Sequence, residues 1–137
     1  FTTEEIYRLI FKDSKSIHLE KFLNFPNNFE NEKLYQKWLE LIKIRNICNI
    51  SIEEKRANKE IGSSLEADLN IHLDKKLEEI TKNIDFSELC ITSKAQISFK
   101  ENLETSAQTT KAKGKKCNLC WKIVENTCDR TNCPKNN

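Results

Sequence analysis

Glycine is nearly missing from this chain of 137 residues: there are two, alongside two prolines and no methionine. Two glycines are too few for a dinucleotide-binding G-x-G-x-x-G turn or a phosphate-cradling loop, and neither motif occurs. No run approaches the roughly 20 apolar residues that span a bilayer, and no signal peptide opens the chain. The lack of Met, position 1 included, is what a piece of a longer polypeptide would show. The length corresponds to about one domain. Its core is expected to be modest, helped by a metal or a neighbouring domain.

Acidic and basic residues nearly balance, at a formal net charge of +2, but they are unevenly placed. Residues 1–106 carry 16 Lys and Arg against 19 Asp and Glu, whereas residues 107–137 carry 7 against 2. The basic end is where a polyanion would land, with a merely solvated tail as the bland counterpart. Nineteen of the 23 basic residues are Lys, a bias typical of AT-rich coding sequence, so the Lys count itself carries little weight.

Cysteine is distributed just as unevenly. Four of the six Cys fall in the last 21 residues, while Cys48 and Cys90 stand alone among apolar neighbours as expected core fillers. A secreted disulfide scaffold spreads its cysteines, so clustering at one end favours a metal.

Local patterns predict an α+β chain. Thr2 and Glu5 suggest a capping box opening a short helix with Ile6, Leu9 and Ile10 on one face. Asp13 to Ser16 breaks it, Ser16 to Phe22 alternates like a short strand, and Asn24 to Asn31 is a loop. From Glu32 to Glu60 there is neither Gly nor Pro. Leu34, Trp38, Leu41, Arg45 and Cys48 step by three or four, broadened by Ile44, Ile47 and Ile52. This is one long helix, with a kink allowed near Asn49–Ser51, where Ser51 and Glu54 could start a second one. Arg45 on that stripe needs a partner or a role.

Gly62 is expected to end the helix in a left-handed conformation. Leu65 to Leu73 alternates as a strand, Asp74 to Asn83 is a short helix with Leu77 and Ile80 inward, and two further β-prone segments follow, at Phe86–Ile91 and Ala95–Phe99. Residues 102–116 read as a polar lead into the cysteines. His18 and His72 sit on polar sides and receive no function. No internal repeat is present.

The chemistry lies at the end. Cys117-Asn118-Leu119-Cys120 is a C-x2-C knuckle, which points two thiolates at one centre, and Cys128 and Cys133 supply the other two corners of a tetrahedron. Four thiolates without an open position imply one structural zinc and no catalytic water. Disulfides or unliganded thiols are the alternatives. The segment has almost no aliphatic core, so metal binding would largely be its folding energy. Trp121 follows a ligand cysteine, and Lys113, Lys115 and Lys116 precede it. An aromatic face amid cations suits an unpaired base and its phosphates, though Trp121 could equally cover the metal site.

Together these residues resemble the C-terminal end of a bacterial-type isoleucyl-tRNA synthetase. Phe1-Thr2-Thr3-Glu4-Glu5-Ile6 is similar to the family's F-T-x-E-E-I helix opening. Ile44-Arg45, then Glu53, Arg56 and Lys59, lead into Ile61-Gly62-Ser63-Ser64-Leu65-Glu66-Ala67, the most specific stretch. Gly114-Lys115-Lys116-Cys117-x-x-Cys120-Trp121 resembles G-x-K-C-x-R-C-W. Two departures stand out: Leu119 replaces the family's Arg, and the second cysteine pair is C-x4-C rather than C-x2-C after a longer insert.

The resemblance implies a parent enzyme that joins isoleucine to its tRNA with ATP and hydrolyses mischarged valyl-tRNA. ATP and Mg2+ would belong to a catalytic domain outside this chain, which would itself hold no catalytic residue. It further implies a helical anticodon-binding segment (1–62), a small α/β junction domain (63–110) and a zinc-binding module (111–137). The implied partners are the tRNA anticodon stem-loop and the upstream catalytic and editing domains of the same polypeptide, in a cytoplasmic monomer without membrane contact. Trp121 is the expected anticodon contact, with Lys113, Lys115 and Lys116 as charge-based companions. Arg45 and Arg56 either touch the stem or pair with neighbours such as Glu53, the structural role being preferred. Two alternatives use the same finger: the zinc end of a DNA-repair glycosylase binding duplex DNA, and a free-standing tRNA-binding accessory module.

Overall fold

The computed structural model describes residues 1–12, 15–126, 128 and 133, so Asp13 and Ser14 of the expected helix break lie outside the described residues. The chain divides into two compact units, Phe1–Glu32 and Lys33–Asn137.

In the first unit, α1 (Thr2–Ile10) forms as expected, but without the capping box. Its N-cap is Phe1, which offers no side-chain hydrogen bond. Glu4, rather than Glu5, carries the local order. One of its carboxylate oxygens accepts from Arg8 Nε at 2.9 Å, the other from Ser16 Oγ at 2.9 Å and from the Ile17 amide at 3.0 Å. The Ser16 hydroxyl above all, then the Ile17 amide and Arg8, holds the Glu4 carboxyl below its ordinary value. The expected strand at Ser16–Phe22 is instead a 3-10 turn over Ile17–Leu19. Ser16 Oγ accepts from the His18 amide and so turns the backbone, a local bond that competes with extension. A second 3-10 turn, Asn27–Phe29, follows Pro26 inside the expected loop.

The second unit is built on α2 (Glu32–Ala57), a helix of 26 residues that runs unbroken through Asn49–Ser51. The anticipated second start is absent, because Ser51 Oγ is bonded to Thr109 Oγ1 at 2.9 Å rather than to the backbone of a new helix. Leu41, Ile44, Cys48 and Ile52 are buried, whereas Leu34 and Trp38 at the start of the stripe are exposed. Arg45 finds a structural partner: its Nε donates to the Leu89 carbonyl at 2.9 Å. The helix ends at Ala57 and is closed by Lys59, not Gly62. Lys59 takes φ 59°, the Glu60 amide reaches back to the Lys55 carbonyl, and the Lys59 amide to that of Arg56. That is the double bond pattern of a Schellman ending, with lysine in the place usual for glycine. Gly62 instead donates its amide to Glu66 Oε2 at 3.0 Å.

A three-stranded sheet packs on this helix, in the order β2-β1-β3. Strand β1 (Ala67–Asp74) alternates perfectly between buried and half-buried positions. Its inward Ala67, Leu69, Ile71 and Leu73 share one core with Leu41, Ile44, Cys48 and Ile52 of α2 and with Ile61, Phe86 and Cys90. Cys48 and Cys90 thus fill core positions as expected, and their mutual hydrogen bond, then burial, drives the Cys48 thiol far above its ordinary value. Strand β2 (Lys94–Lys100) pairs parallel with β1, Leu69 facing Ala95 and Ile71 facing Ile97.

A parallel pair needs a crossover, and residues 75–93 supply it. This stretch contains α3 (Glu78–Thr81), preceded by a 3-10 turn at Lys75–Leu77, and α4 (Phe86–Leu89). The latter corrects the β reading of Phe86–Ile91. Asp85 caps it by accepting from the Ser87 and Glu88 amides, and the spacing of Phe86 and Leu89 is helical. Strand β3 (Ser106–Lys111) lies antiparallel to β1, in what the sequence presents only as a polar lead. Among the described residues, no helix is long and apolar enough to cross a membrane.

Candidate metal centre

Beyond β3 the chain is tied at once to the body of the second unit. The Ala112 amide donates to the Glu66 carbonyl at 2.8 Å, inside the segment Ile61–Ala67 that the sequence marks as most specific. A small hairpin follows, with β4 (Lys115–Lys116) antiparallel to β5 (Ile123–Val124) and Lys115 opposite Val124. Gly114 opens it at φ 131°, and a Cβ there would lie 2.3 Å from the Val124 carbonyl oxygen. This glycine is required twice over, by conformation and by space. Gly114→Ala is expected to cost about 1–3 kcal/mol through strain alone. Weakened metal retention against a chelator checks it, whereas unchanged retention would mean that the hairpin shifts freely.

Between the two strands the backbone makes a tight knuckle. The Cys117 amide donates to the Lys122 carbonyl, and the Trp121 amide to the Cys117 carbonyl, each at 2.9 Å. Trp121 sits at φ 66°, a left-handed backbone that closes the turn and throws its side chain outward. Cys117 and Cys120 are thereby turned toward Cys128 and Cys133, and the four sulfurs lie within 4.8 Å of one another. Cys117 and Cys133 sulfurs are 3.7 Å apart, and those of Cys120 and Cys128 3.3 Å.

These separations are far beyond the roughly 2.05 Å of a disulfide, and all four are free thiols. They approach the edge of a tetrahedron with metal–sulfur bonds of about 2.3 Å, roughly 3.8 Å. Cys117, Cys128 and Cys133 are buried and Cys120 is partly so, with Val124 packed against the group. Backbone N–H groups of Cys120 and then Leu119 aim at the Cys117 sulfur and bring its thiol down to about 6. A sulfur surrounded by amide donors is prepared to be a thiolate ligand. The four cysteines are positioned to hold one metal ion.

The other residues singled out by sequence occupy the outer side of the knuckle. Trp121 keeps 60% of its surface exposed, and Lys116 Nζ lies 5.7 Å from its ring centroid. That is within cation–π range. Lys113, Lys115 and Lys116 are all exposed. Arg56 is elsewhere, on α2, where NH1 meets Glu53 at 2.7 Å in an exposed pair.

Sequence reasoning missed the side chains that orient the knuckle on the sheet. Ser93 Oγ donates to the Leu65 carbonyl and accepts from the Ile123 amide. Lys122 is largely buried, with Nζ 2.7 Å from Glu88 Oε1 on α4, and Lys94 of β2 pairs with Glu125. No local signal marks such residues, because their partners lie about 30 positions away in the chain. Ser93→Ala removes two hydrogen bonds, an expected loss of about 1–3 kcal/mol. Thermal unfolding of the metal-loaded protein would register it, and an unchanged midpoint would show that Ser93 carries no load in holding the hairpin.

No protein-family model matches the chain. Its sequence is 59% identical over 130 residues to the isoleucine–tRNA ligase of Pelagibacter ubique (strain HTCC1062), covering 95% of this chain and 14% of that protein. It is 33% identical over 121 residues to the isoleucine–tRNA ligase of Zymomonas mobilis, covering 88% of this chain and 13% of that protein. With the isoleucine–tRNA ligase of Agrobacterium fabrum the identity is 33% over 135 residues, covering 90% of this chain and 14% of the relative. The chain therefore spans only about one-seventh of the length of the curated relatives it matches.

Proposed function

We propose, from the premise that this chain corresponds to the C-terminal region of isoleucine–tRNA ligases, that it holds the anticodon stem-loop of the isoleucine tRNA. The parent enzyme would join isoleucine to that tRNA with ATP and clear mischarged valine. ATP and Mg2+ would act in a catalytic domain outside these residues, and an editing domain would likewise lie upstream. The protein would work as a cytoplasmic monomer.

One observation supports the RNA reading above others. The knuckle that gathers four cysteines also carries Trp121 with its ring exposed and Lys116 beside it. The proposed metal is a single structural zinc held by Cys117, Cys120, Cys128 and Cys133, since an all-thiolate set suits zinc and leaves no open position. Zinc would supply the rigidity of the knuckle. Trp121 would stack on an unpaired loop base, while Lys113, Lys115 and Lys116 meet phosphates. The division into a helical segment (1–62), a junction domain (63–110) and a zinc module (111–137) is proposed as one of roles in tRNA binding.

Binding duplex DNA, as the finger of a repair glycosylase does, is the reading that the relatives disfavour. Competition separates the two. With a labelled anticodon stem-loop bound to the zinc-loaded protein, unlabelled isoleucine tRNA should displace it at least about tenfold more effectively than duplex DNA. Equal displacement by the duplex would overturn the tRNA assignment.

A further inference from the structure

Beside the cysteine cluster lies a hollow of about 410 Å³ lined by Lys115, Lys116, Cys117, Asn118, Val124, Asn126 and Cys128. Its size falls within the range of small-ligand sites. Its chemistry is selective. Four thiolates around one dication leave a net negative charge, so the cysteine wall is a poor seat for a free anion. Asn118 and Asn126 are neutral, exposed on the knuckle and after β5, and each offers two donors and an acceptor. Val124 adds an apolar surface, and the two lysines place positive charge at the β4 side. A group that is neutral, flat, rich in alternating donors and acceptors, and tethered to phosphates satisfies all three features at once.

We propose that this hollow seats one unpaired nucleotide, its base edge read by the Asn118 and Asn126 amides and its flanking phosphates met by Lys115 and Lys116. The assignment rests on the RNA reading above and sharpens it from stacking to base selection. Lys116 links the two parts: it lines the hollow, and its Nζ is 5.7 Å from the Trp121 ring centroid. One base on Trp121 and a neighbouring base in the hollow would thus share a cation between them. Stacking tolerates any base, so specificity must come from hydrogen bonds to an edge, and the amides are the groups at this hollow that supply both polarities.

The test uses the zinc-loaded protein and RNA hairpins carrying the isoleucine tRNA anticodon loop, either unaltered or with single loop-base changes. The unsubstituted protein should prefer the cognate loop over at least one single-base variant by about tenfold. Combined Asn118→Ala and Asn126→Ala should shrink that preference to about twofold or less, with zinc content and salt dependence unchanged. Asn118→Asp, which keeps the shape but removes the donors, should alter which loop base is preferred. Lys115→Ala should weaken all hairpins alike and flatten the salt dependence by about one released counterion.

Full discrimination by the double Asn variant, with binding still weakened by Trp121→Ala, would overturn the base-reading hollow and leave the RNA reading standing. Absence of hairpin binding by the unsubstituted protein, or binding that Trp121→Ala leaves unchanged, would overturn the RNA reading itself.

Discussion

Replacing Cys120 by serine should release the metal and unfold the chain beyond β3 while leaving α2 and the sheet folded. The reason is the separation of two hydrophobic groups. Leu41, Ile44, Cys48 and Ile52 of α2 are buried against Leu69, Ile71 and Leu73 of β1, without any help from the cysteine cluster. Cys117, Cys128 and Cys133 form a second buried group whose apolar support is slight, Val124 being packed on it. Structural zinc in small modules binds with roughly 10–16 kcal/mol of apparent free energy, and that energy is also folding energy. A serine hydroxyl stays protonated at neutral pH and makes a poor fourth ligand. Zinc analysis paired with far-UV circular dichroism checks the outcome. Zinc retained at one equivalent, or helical signal lost along with the metal, would contradict the division between helix-and-sheet body and metal module.

Trp121→Ala should weaken binding of the anticodon stem-loop and leave zinc content unchanged. Base–aromatic stacking is worth about 1–3 kcal/mol per base, which corresponds to roughly 5- to 150-fold in affinity. The ring is 60% exposed, so its removal takes little from the folding of the knuckle. The left-handed backbone at this position, φ 66°, is costly for any side chain, and alanine inherits the cost unchanged. Trp121→Phe keeps a stacking face and should recover much of the affinity. If the indole served only to cover the metal, the pattern would invert, with zinc released more readily and RNA affinity untouched.

The parts of the molecule that sequence foretold are those where one face is buried and the other is not. The alternation from Leu65 to Leu73 became β1 because the sheet is covered on one side by α2, so the period of two maps directly onto burial. The four terminal cysteines came together because thiolate spacing constrains geometry more tightly than any apolar pattern. Elsewhere the local signal was outweighed. Phe86, Leu89 and Ile91 share apolar character, but the Asp85 cap turned the first two into α4 and left Ile91 exposed at φ 56°. Strand β3 carries almost no aliphatic residue, and pairing with β1 imposes its conformation from outside.

Helix α2 ended at Ala57, with Lys59 rather than the conspicuous Gly62 as its left-handed cap, because hydrogen bonds to the carbonyls of Lys55 and Arg56 had already closed it. The second glycine, Gly114, did mark a place that no other residue fills comfortably. At the candidate metal centre the gathering of the four cysteines was legible and its setting was not. Ser93, Glu88 and Lys94 hold the knuckle from distant points in the chain.

A single coupled titration tests the account most directly: zinc content and affinity for the isoleucine anticodon stem-loop, measured on one preparation as the metal is removed and restored. One zinc per chain, with RNA affinity lost on chelation and regained on adding zinc, is the predicted result. Substoichiometric zinc in fresh, reduced protein, or RNA affinity indifferent to the metal, would contradict a zinc knuckle that presents Trp121 to the anticodon.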